Sequence, residues 1–181
     1  MKQPIKAALL GCLEIPLFMK ISRDRFVNSP EAMKQSFLVP LLILPLGILI
    51  APVNPEFAAL PFPKLAFRFA LDFCLVVFVY LLFMRAVAKA LDRSQYFFQF
   101  VTAYNWLNLT SLVISLPFFV LAMKGIYEWD EVKNILIGLV LYGYAYLAFA
   151  ITMILRINWM LAASLAIVSM ALGQVSNALV Y

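Results

Sequence analysis

Histidine is absent from the 181-residue sequence, and only 13% of its residues are charged. Without histidine, the chain lacks the side chain that most often acts as a general base, a proton switch near neutral pH or a metal ligand. Hydrophobic residues make up 65% of the chain, whereas an ordinary soluble domain is about half apolar and about one quarter charged. This composition excludes a soluble domain and predicts a protein whose outer surface faces lipid.

Cysteine is also scarce, since the chain contains only Cys12 and Cys74. One precedes the first long apolar segment and the other lies inside an apolar segment, so neither a disulfide framework nor a thiolate metal site is expected. The sequence has no Gly-rich phosphate loop, no paired carboxylates within an apolar segment and no Ser-Lys arrangement. We therefore predict no catalytic residues, no metal site and no cofactor, and we expect that the protein is not an enzyme.

Long apolar segments dominate what remains. A bilayer core about 30 Å thick needs about 20 mostly apolar residues in a helix. Five segments meet this requirement, at residues 36–53, 66–90, 97–123, 134–155 and 158–179. The links between them are short and either polar or rich in proline. We predict an all-α fold, a polytopic transmembrane helix bundle of about five spans, in which residues 30–181 form one membrane domain.

Two prolines, Pro40 and Pro45, lie inside the first of these segments. A proline removes a helix hydrogen bond and crowds the preceding turn, although neighbouring helices compensate for this in a membrane. The favoured interpretation is a kinked but complete span. The alternative is a re-entrant segment, which would leave four true crossings.

The basic residues are distributed unequally between the two sides of such a bundle. The N-terminal side would carry Lys2, Lys6, Lys20, Arg23, Arg25, Lys34, Arg85, Lys89, Arg93 and Arg156. The other side would carry Lys64, Arg68, Lys124 and Lys133. The positive-inside rule then predicts a cytoplasmic N-terminus and an external C-terminus. The net charge of +5 is accordingly a topology signal, and no nucleic-acid partner is expected.

Residues 1–29 are predicted to form a cytoplasmic amphipathic and basic segment. One helical face collects apolar residues at i, i+3, i+4, i+7 and i+8, namely Ile5, Ala8, Leu9, Cys12 and Leu13. This pattern is typical of an amphipathic interfacial helix, and the basic stretch from Lys20 to Arg25 would follow it near anionic headgroups. A helix packed on the cytoplasmic end of the bundle is the alternative.

The third span carries a polar stripe along one side of its helix: Thr102, Asn105, Asn108, Ser111 and Ser115. Amides and hydroxyls in hydrocarbon commonly bond across helices, so one hypothesis is that the stripe holds the bundle together. The other hypothesis is that it lines a polar path or a binding site.

The fifth span carries small residues along one face: Ala162, Ala166, Ser169, Gly173 and Asn177. Small residues in a row allow two helix backbones to approach closely. The face is expected either to pack inside the bundle or to dock a partner or a second copy of the chain.

The five-span layout and the sequence Tyr142-Gly143-Tyr144 in a late span resemble the Yip1-like family of membrane proteins. That resemblance implies a role in membrane organisation or in binding partner proteins. The short chain and the lack of a soluble N-terminal domain look more like bacterial than eukaryotic members, which implies a location in a bacterial inner (plasma) membrane. The chain lacks the Asp-Leu-Tyr-Gly-Pro-like signature that eukaryotic members often carry before the first span.

The sequence favours a non-enzymatic membrane protein that acts through helix–helix contacts as an accessory subunit, scaffold or assembly factor. Its expected partners are the lipid bilayer and either other membrane-protein subunits or further copies of itself. One alternative is a small transporter or channel subunit that uses the polar stripe of the third span. Another alternative is a role in lipid handling or membrane organisation.

Overall fold

The structure, a computed structural model, describes residues 2–180 as helices joined by short links, with no strand in that range. The α-helices are α1 (Ile5–Glu14), α2 (Pro30–Ser36), α3 (Leu38–Ile50), α4 (Pro55–Ala58), α5 (Phe62–Ala90), α6 (Phe97–Met123), α7 (Trp129–Leu155) and α8 (Trp159–Val180). Short 3-10 turns cover Lys20–Arg25, Ala51–Val53 and Ser94–Tyr96. The predicted all-α bundle is confirmed.

Five stretches of helix are long and apolar enough to cross a membrane: Pro30–Val53, Phe62–Ala90, Ser94–Met123, Trp129–Leu155 and Trp159–Leu179. The chain is therefore an integral membrane protein. The first and fourth spans begin at Pro30 and Trp129, several residues before the apolar runs at 36 and 134. Hydrogen bonds that cap the N-terminus of each helix explain the earlier start. The Ser29 side chain accepts a hydrogen bond from the Ala32 amide, and Glu128 and Glu131 form a reciprocal capping box.

The first span covers 24 residues, and its α-helix is interrupted once. Helix α2 ends at Ser36 and α3 begins at Leu38, with Phe37 between them. Pro40 explains the break, because it offers no N–H to the Ser36 carbonyl and its ring crowds that turn. Pro45 lies inside α3 without ending it. The span has the length expected of the kinked, complete form.

The five spans close into a ring. The first span, represented by α3, packs against α6 on one side and against α5 on the other. Helix α6 packs against α7, α7 against α8, and α8 against α5. The ring order is therefore α3, α6, α7, α8, α5. Helices α5 and α6 follow each other in the chain, but each packs mainly against other helices, and they meet through aromatic side chains such as Tyr80 and Tyr104.

The two ends of this ring differ in packing. We call the end near Lys20–Arg25, Ser94–Tyr96 and Arg156 the basic end, and the end near residues 51–61 and 124–128 the distal end. Buried side chains concentrate in the half near the basic end: Val77, Tyr80, Leu81, Met84, Phe100, Val101, Ala103, Tyr104, Leu107, Leu147, Ile151, Ile154, Leu155, Ala162, Leu165 and Ala166. The distal half is more open.

Helix α1 runs along α6 from the basic end towards the middle of the bundle. The Cys12 thiol donates a hydrogen bond to the Trp106 carbonyl (3.3 Å), and the Thr110 hydroxyl donates to the Cys12 carbonyl (3.1 Å). The chain then returns, and Gln99 donates to the carbonyls of Arg23 and Phe26. Thr110 lies eleven residues beyond Gln99, about 16 Å along the helix.

The predicted apolar face of α1 is divided between two environments. Ala8 and Cys12 are buried against the bundle, whereas Ile5, Leu9 and Leu13 are exposed. The contact face shifts towards Gly11, where a Cβ atom would lie 2.5 Å from the Phe26 ring. The returning chain thus packs on the glycine, and the larger side chains of α1 point to the surroundings.

Candidate functional site

A cavity of about 600 Å³ lies inside the distal half of the ring. Each of the five spans contributes to its wall, for example through Gly47 in α3, Phe73 in α5, Asn108 in α6, Tyr144 in α7 and Gly173 in α8. Its volume falls within the range of about 300–1,000 Å³ that is usual for sites of small molecules. The cavity is the candidate functional site.

Aromatic side chains close the cavity towards the basic end. The ring centroids of Tyr80 and Tyr104 are 5.2 Å apart, and those of Phe100 and Tyr104 are 6.0 Å apart. Tyr80 and Phe100 are almost completely buried, and Tyr104 forms part of the cavity wall. These three rings fill the centre of the helix ring, so the cavity does not continue to the basic end.

Small residues leave the space open in the distal half. A Cβ atom added at Gly173 would meet nothing within 4 Å, although this glycine lines the cavity. Gly47 has the opposite role, since a Cβ atom there would lie 2.8 Å from the Phe69 ring. The Gly47–Phe69 contact therefore brings α3 and α5 together and closes the wall between them.

The wall is largely apolar but contains several uncharged polar groups. They are Asn54, Asn108, Ser111, Ser115, Tyr104, Tyr142, Tyr144, Tyr146 and Ser169. None of the lining residues in the described part of the chain is Asp, Glu, Lys or Arg. The arrangement offers hydrogen bonds to a neutral polar group and no counter-charge for an ion.

Three members of the predicted polar stripe line the cavity, at Asn108, Ser111 and Ser115. The Asn108 amide nitrogen donates to the Tyr104 carbonyl (3.2 Å), and Ser115 donates to the Ser111 carbonyl (2.8 Å). Ser111 also pairs with the Tyr146 hydroxyl on α7. The carbonyl oxygen of the Asn108 side chain has no partner within residues 2–180, which leaves it available to a ligand.

The other two stripe residues serve the packing of the bundle. Asn105 is completely buried and donates to the Ser36 hydroxyl on α2 (2.9 Å). Thr102 is also buried and donates to the Phe98 carbonyl of its own helix. The stripe is thus divided between two environments. Asn105 faces α2, whereas Asn108, Ser111 and Ser115 face the cavity.

The small-residue face of the fifth span is divided in a similar way. Ala162, Ala166 and Ser169 are buried inside the bundle, where the Tyr80 hydroxyl donates to the Leu165 carbonyl (3.4 Å). Gly173 lines the cavity, and Asn177 is exposed.

Sequence reasoning did not identify the parts of the wall that come from the first two spans. Gly47 occurs in a uniformly apolar run, where no polar neighbour distinguishes it. Phe69 and Phe73 directly follow the charged residues Arg68 and Asp72, but the i,i+4 spacing of that pair points to an ion pair and not to a cavity wall. The tyrosines of α7 did offer a signal, because Tyr142, Tyr144 and Tyr146 are concentrated in an otherwise apolar helix. Tyr142 lines the cavity and also anchors the N-terminal segment, since its hydroxyl donates to the Pro16 carbonyl (2.7 Å).

Comparison of the chain with protein-family models, with curated proteins and with solved structures found no match. Membership of the Yip1-like family therefore stays a prediction, based on the five-span layout and Tyr142-Gly143-Tyr144.

Proposed function

We propose that this integral membrane protein binds a neutral, amphiphilic molecule of the lipid class in its intramembrane cavity, without catalysing a reaction. The observation that carries the proposal is an uncharged cavity of about 600 Å³, lined by all five spans and supplied with amide and hydroxyl groups. The proposal takes up the lipid-handling alternative of the sequence analysis and assigns the binding to the cavity.

The composition of the wall determines the class of ligand. Burying an ion away from water costs several kcal/mol unless a counter-charge or a metal compensates it. The lining residues provide neither, so the ligand is neutral. Aromatic and aliphatic side chains surround its apolar part, and the free carbonyl of Asn108 accepts a hydrogen bond from a hydroxyl or amide of its polar part.

The distal rim of the cavity fits entry from the membrane or its interface. Asn54, in the link after the first span, and Trp129, at the start of α7, both line it. Tryptophan is enriched at the boundary between headgroups and hydrocarbon. A molecule with a long apolar chain reaches such a rim without leaving the lipid phase.

The protein purified in mild detergent should carry a stoichiometric lipid-class molecule that mass spectrometry identifies after extraction. Gly173→Leu should abolish this co-purification, because the new side chain occupies cavity space. Gly138→Leu is the matched control, since Gly138 is exposed on α7, does not line the cavity and has nothing within 4 Å of its Cβ position. A Gly173→Leu protein that retains the same molecule would contradict the proposal, as would a wild-type protein with none.

A second candidate is transport, because Asn108, Ser111 and Ser115 line the cavity as a polar path would require. Transport additionally requires a state in which Tyr80 and Tyr104 separate to open the basic end. Solute flux in proteoliposomes that falls when Asn108 is replaced by leucine would favour this candidate. Flux that is indistinguishable from protein-free vesicles would eliminate it.

A role as accessory subunit, scaffold or assembly factor receives less support from the geometry. The face that was expected to dock a partner is largely used inside the bundle, at Ala162, Ala166 and Ser169. Binding a lipid-class molecule remains compatible with the membrane-organising role that the Yip1-like resemblance implies.

A further inference from the structure

We infer that the basic end of the bundle binds the phosphate group of an anionic phospholipid between Arg93 and Arg156, at a site separate from the cavity. The two arginines belong to different connections, the α5–α6 turn and the α7–α8 turn. The contact of Arg156 with Tyr96, in the same turn as Arg93, distinguishes them from the other cations of this end.

Tyr96 joins the two turns. The Arg156 guanidinium carbon lies 4.7 Å from the centroid of the Tyr96 ring. Arg93 is three residues before Tyr96 in the same turn, and the Tyr96 amide donates to the Arg93 carbonyl (2.9 Å). Because Arg156 stacks on the face of an aromatic ring, the N–H groups at the edge of its guanidinium remain free to donate.

Neither arginine has an acidic partner among residues 2–180. At the basic end, the ion pairs among residues 2–180 are Arg25–Glu14 and Arg23–Asp24. Asp92 is adjacent to Arg93 in sequence but makes no ion pair with it. The Nε of Arg93 is buried and has no hydrogen-bond acceptor, which is unfavourable unless a ligand supplies one.

Phosphate oxygens match this arrangement. The guanidinium fork donates two parallel hydrogen bonds to a phosphate, and two forks neutralise its charge. Helix α8 begins three residues after Arg156, and the first amides of a helix have no partner within it and attract anions. The Asn158 side chain accepts a hydrogen bond from the Leu161 amide (2.8 Å). The backbone amides of α8 that precede Leu161 therefore remain available to a ligand.

The location favours a phospholipid as the source of the phosphate. Both turns lie at the ends of spans, at the level where headgroups meet the hydrocarbon. The side chain of Trp159, next to these turns, is exposed and suited to the same boundary. Basic pockets between transmembrane helices are known to hold anionic headgroups.

The test compares phosphatidylglycerol with phosphatidylcholine by native mass spectrometry of the full chain in detergent. The double variant Arg93→Gln/Arg156→Gln should weaken phosphatidylglycerol binding by about tenfold or more and leave phosphatidylcholine binding unchanged. The control Lys124→Gln/Lys133→Gln removes the same number of charges at the distal end and should retain wild-type binding. If the double variant unfolds at a lower temperature than the wild type, the single variant Arg93→Gln replaces it in the binding comparison.

Two outcomes would overturn the inference. The first is an equal loss of phosphatidylglycerol in the distal control, because net charge alone would then explain the binding. The second concerns the source of the phosphate. If inorganic phosphate stabilises the lipid-free protein but not the double variant, and if it displaces no phosphatidylglycerol, the arginines bind a free anion and not a lipid.

Discussion

Two asparagines one helical turn apart on α6 have different surroundings. Asn105 is buried against α2, where its amide nitrogen donates to Ser36 and its side-chain oxygen has no partner among residues 2–180. Asn108 lines the cavity, and its amide nitrogen donates to the Tyr104 carbonyl of its own helix. We therefore expect the same chemical group to contribute to stability at Asn105 and, under the proposed function, to ligand binding at Asn108.

Replacing each asparagine with leucine should separate these roles. Asn105→Leu should lower the free energy of unfolding by about 1 kcal/mol, which is typical of a hydrogen bond between membrane helices. Asn108→Leu should change stability less but reduce the amount of bound lipid-class molecule. Unfolding in a mixed-micelle titration, together with mass spectrometry of the bound fraction, measures both effects. The same profile for both variants would show that the two roles are not separated.

Cys12 is a second residue whose environment predicts its chemistry. Burial raises the pKa of the Cys12 thiol to about 11. Because the thiolate is the reactive form and a higher pKa lowers its population, labelling by a maleimide at pH 7.5 should be about 100-fold slower than for an ordinary thiol. The rate should rise as the pH approaches 11.

A Cys74→Ser variant isolates the Cys12 thiol for this measurement, and the same protein in SDS provides the reference rate. Labelling of the folded protein within minutes, as in SDS, would show that α1 leaves its site on α6 readily.

At the scale of elements, the N-terminal segment is a hairpin closed by a partly buried ion pair. Arg25 makes two hydrogen bonds through its Nε and one through its NH2 group to the Glu14 carboxylate, the shortest being 2.6 Å. The Gln3 side chain adds a further tie, since it donates to the Arg25 carbonyl and accepts from the Val27 amide.

Glu14→Gln should loosen this hairpin without unfolding the spans, because a neutral amide replaces the charge-assisted hydrogen bonds to Arg25 with weaker ones. Hydrogen exchange of the amides between residues 15 and 26 should become faster, while exchange in α6 and α7 stays unchanged. Glu56→Gln is the control, since Glu56 is exposed in the distal link. Unchanged exchange in the Glu14 variant would contradict a closing role for the pair.

The helices could be predicted from the sequence more easily than the order in which they pack against each other. Each span follows from a long apolar run, which is a local property of the sequence. Ser29-Pro30-Glu31 has the residue types that are typical of a helix start. The order of the helices in the ring could not be predicted from the sequence, because positions that face lipid and positions that face another helix are equally apolar. The division of the polar stripe depends on where α2 meets α6, a contact between Ser36 and Asn105 that are 69 residues apart.

At the scale of the whole molecule, orientation in the membrane is the remaining prediction. The basic end should face the cytoplasm, since it carries ten Lys and Arg residues against four at the other end. In a background of Cys12→Ser and Cys74→Ser, a membrane-impermeant maleimide added to intact cells should label Tyr127→Cys. It should label Gln95→Cys only after lysis. Both positions are exposed in turns, and the reverse labelling pattern would invert the topology.

The unequal packing of the two halves has a consequence for the bilayer around the protein. The α1 hairpin packs along α6 in the half near the basic end, so it widens the outline of the protein on that side. The densely packed half leaves its side chains little room to rearrange, whereas the half that contains the cavity leaves more. We therefore expect the two monolayers to meet protein boundaries that differ in width and in stiffness.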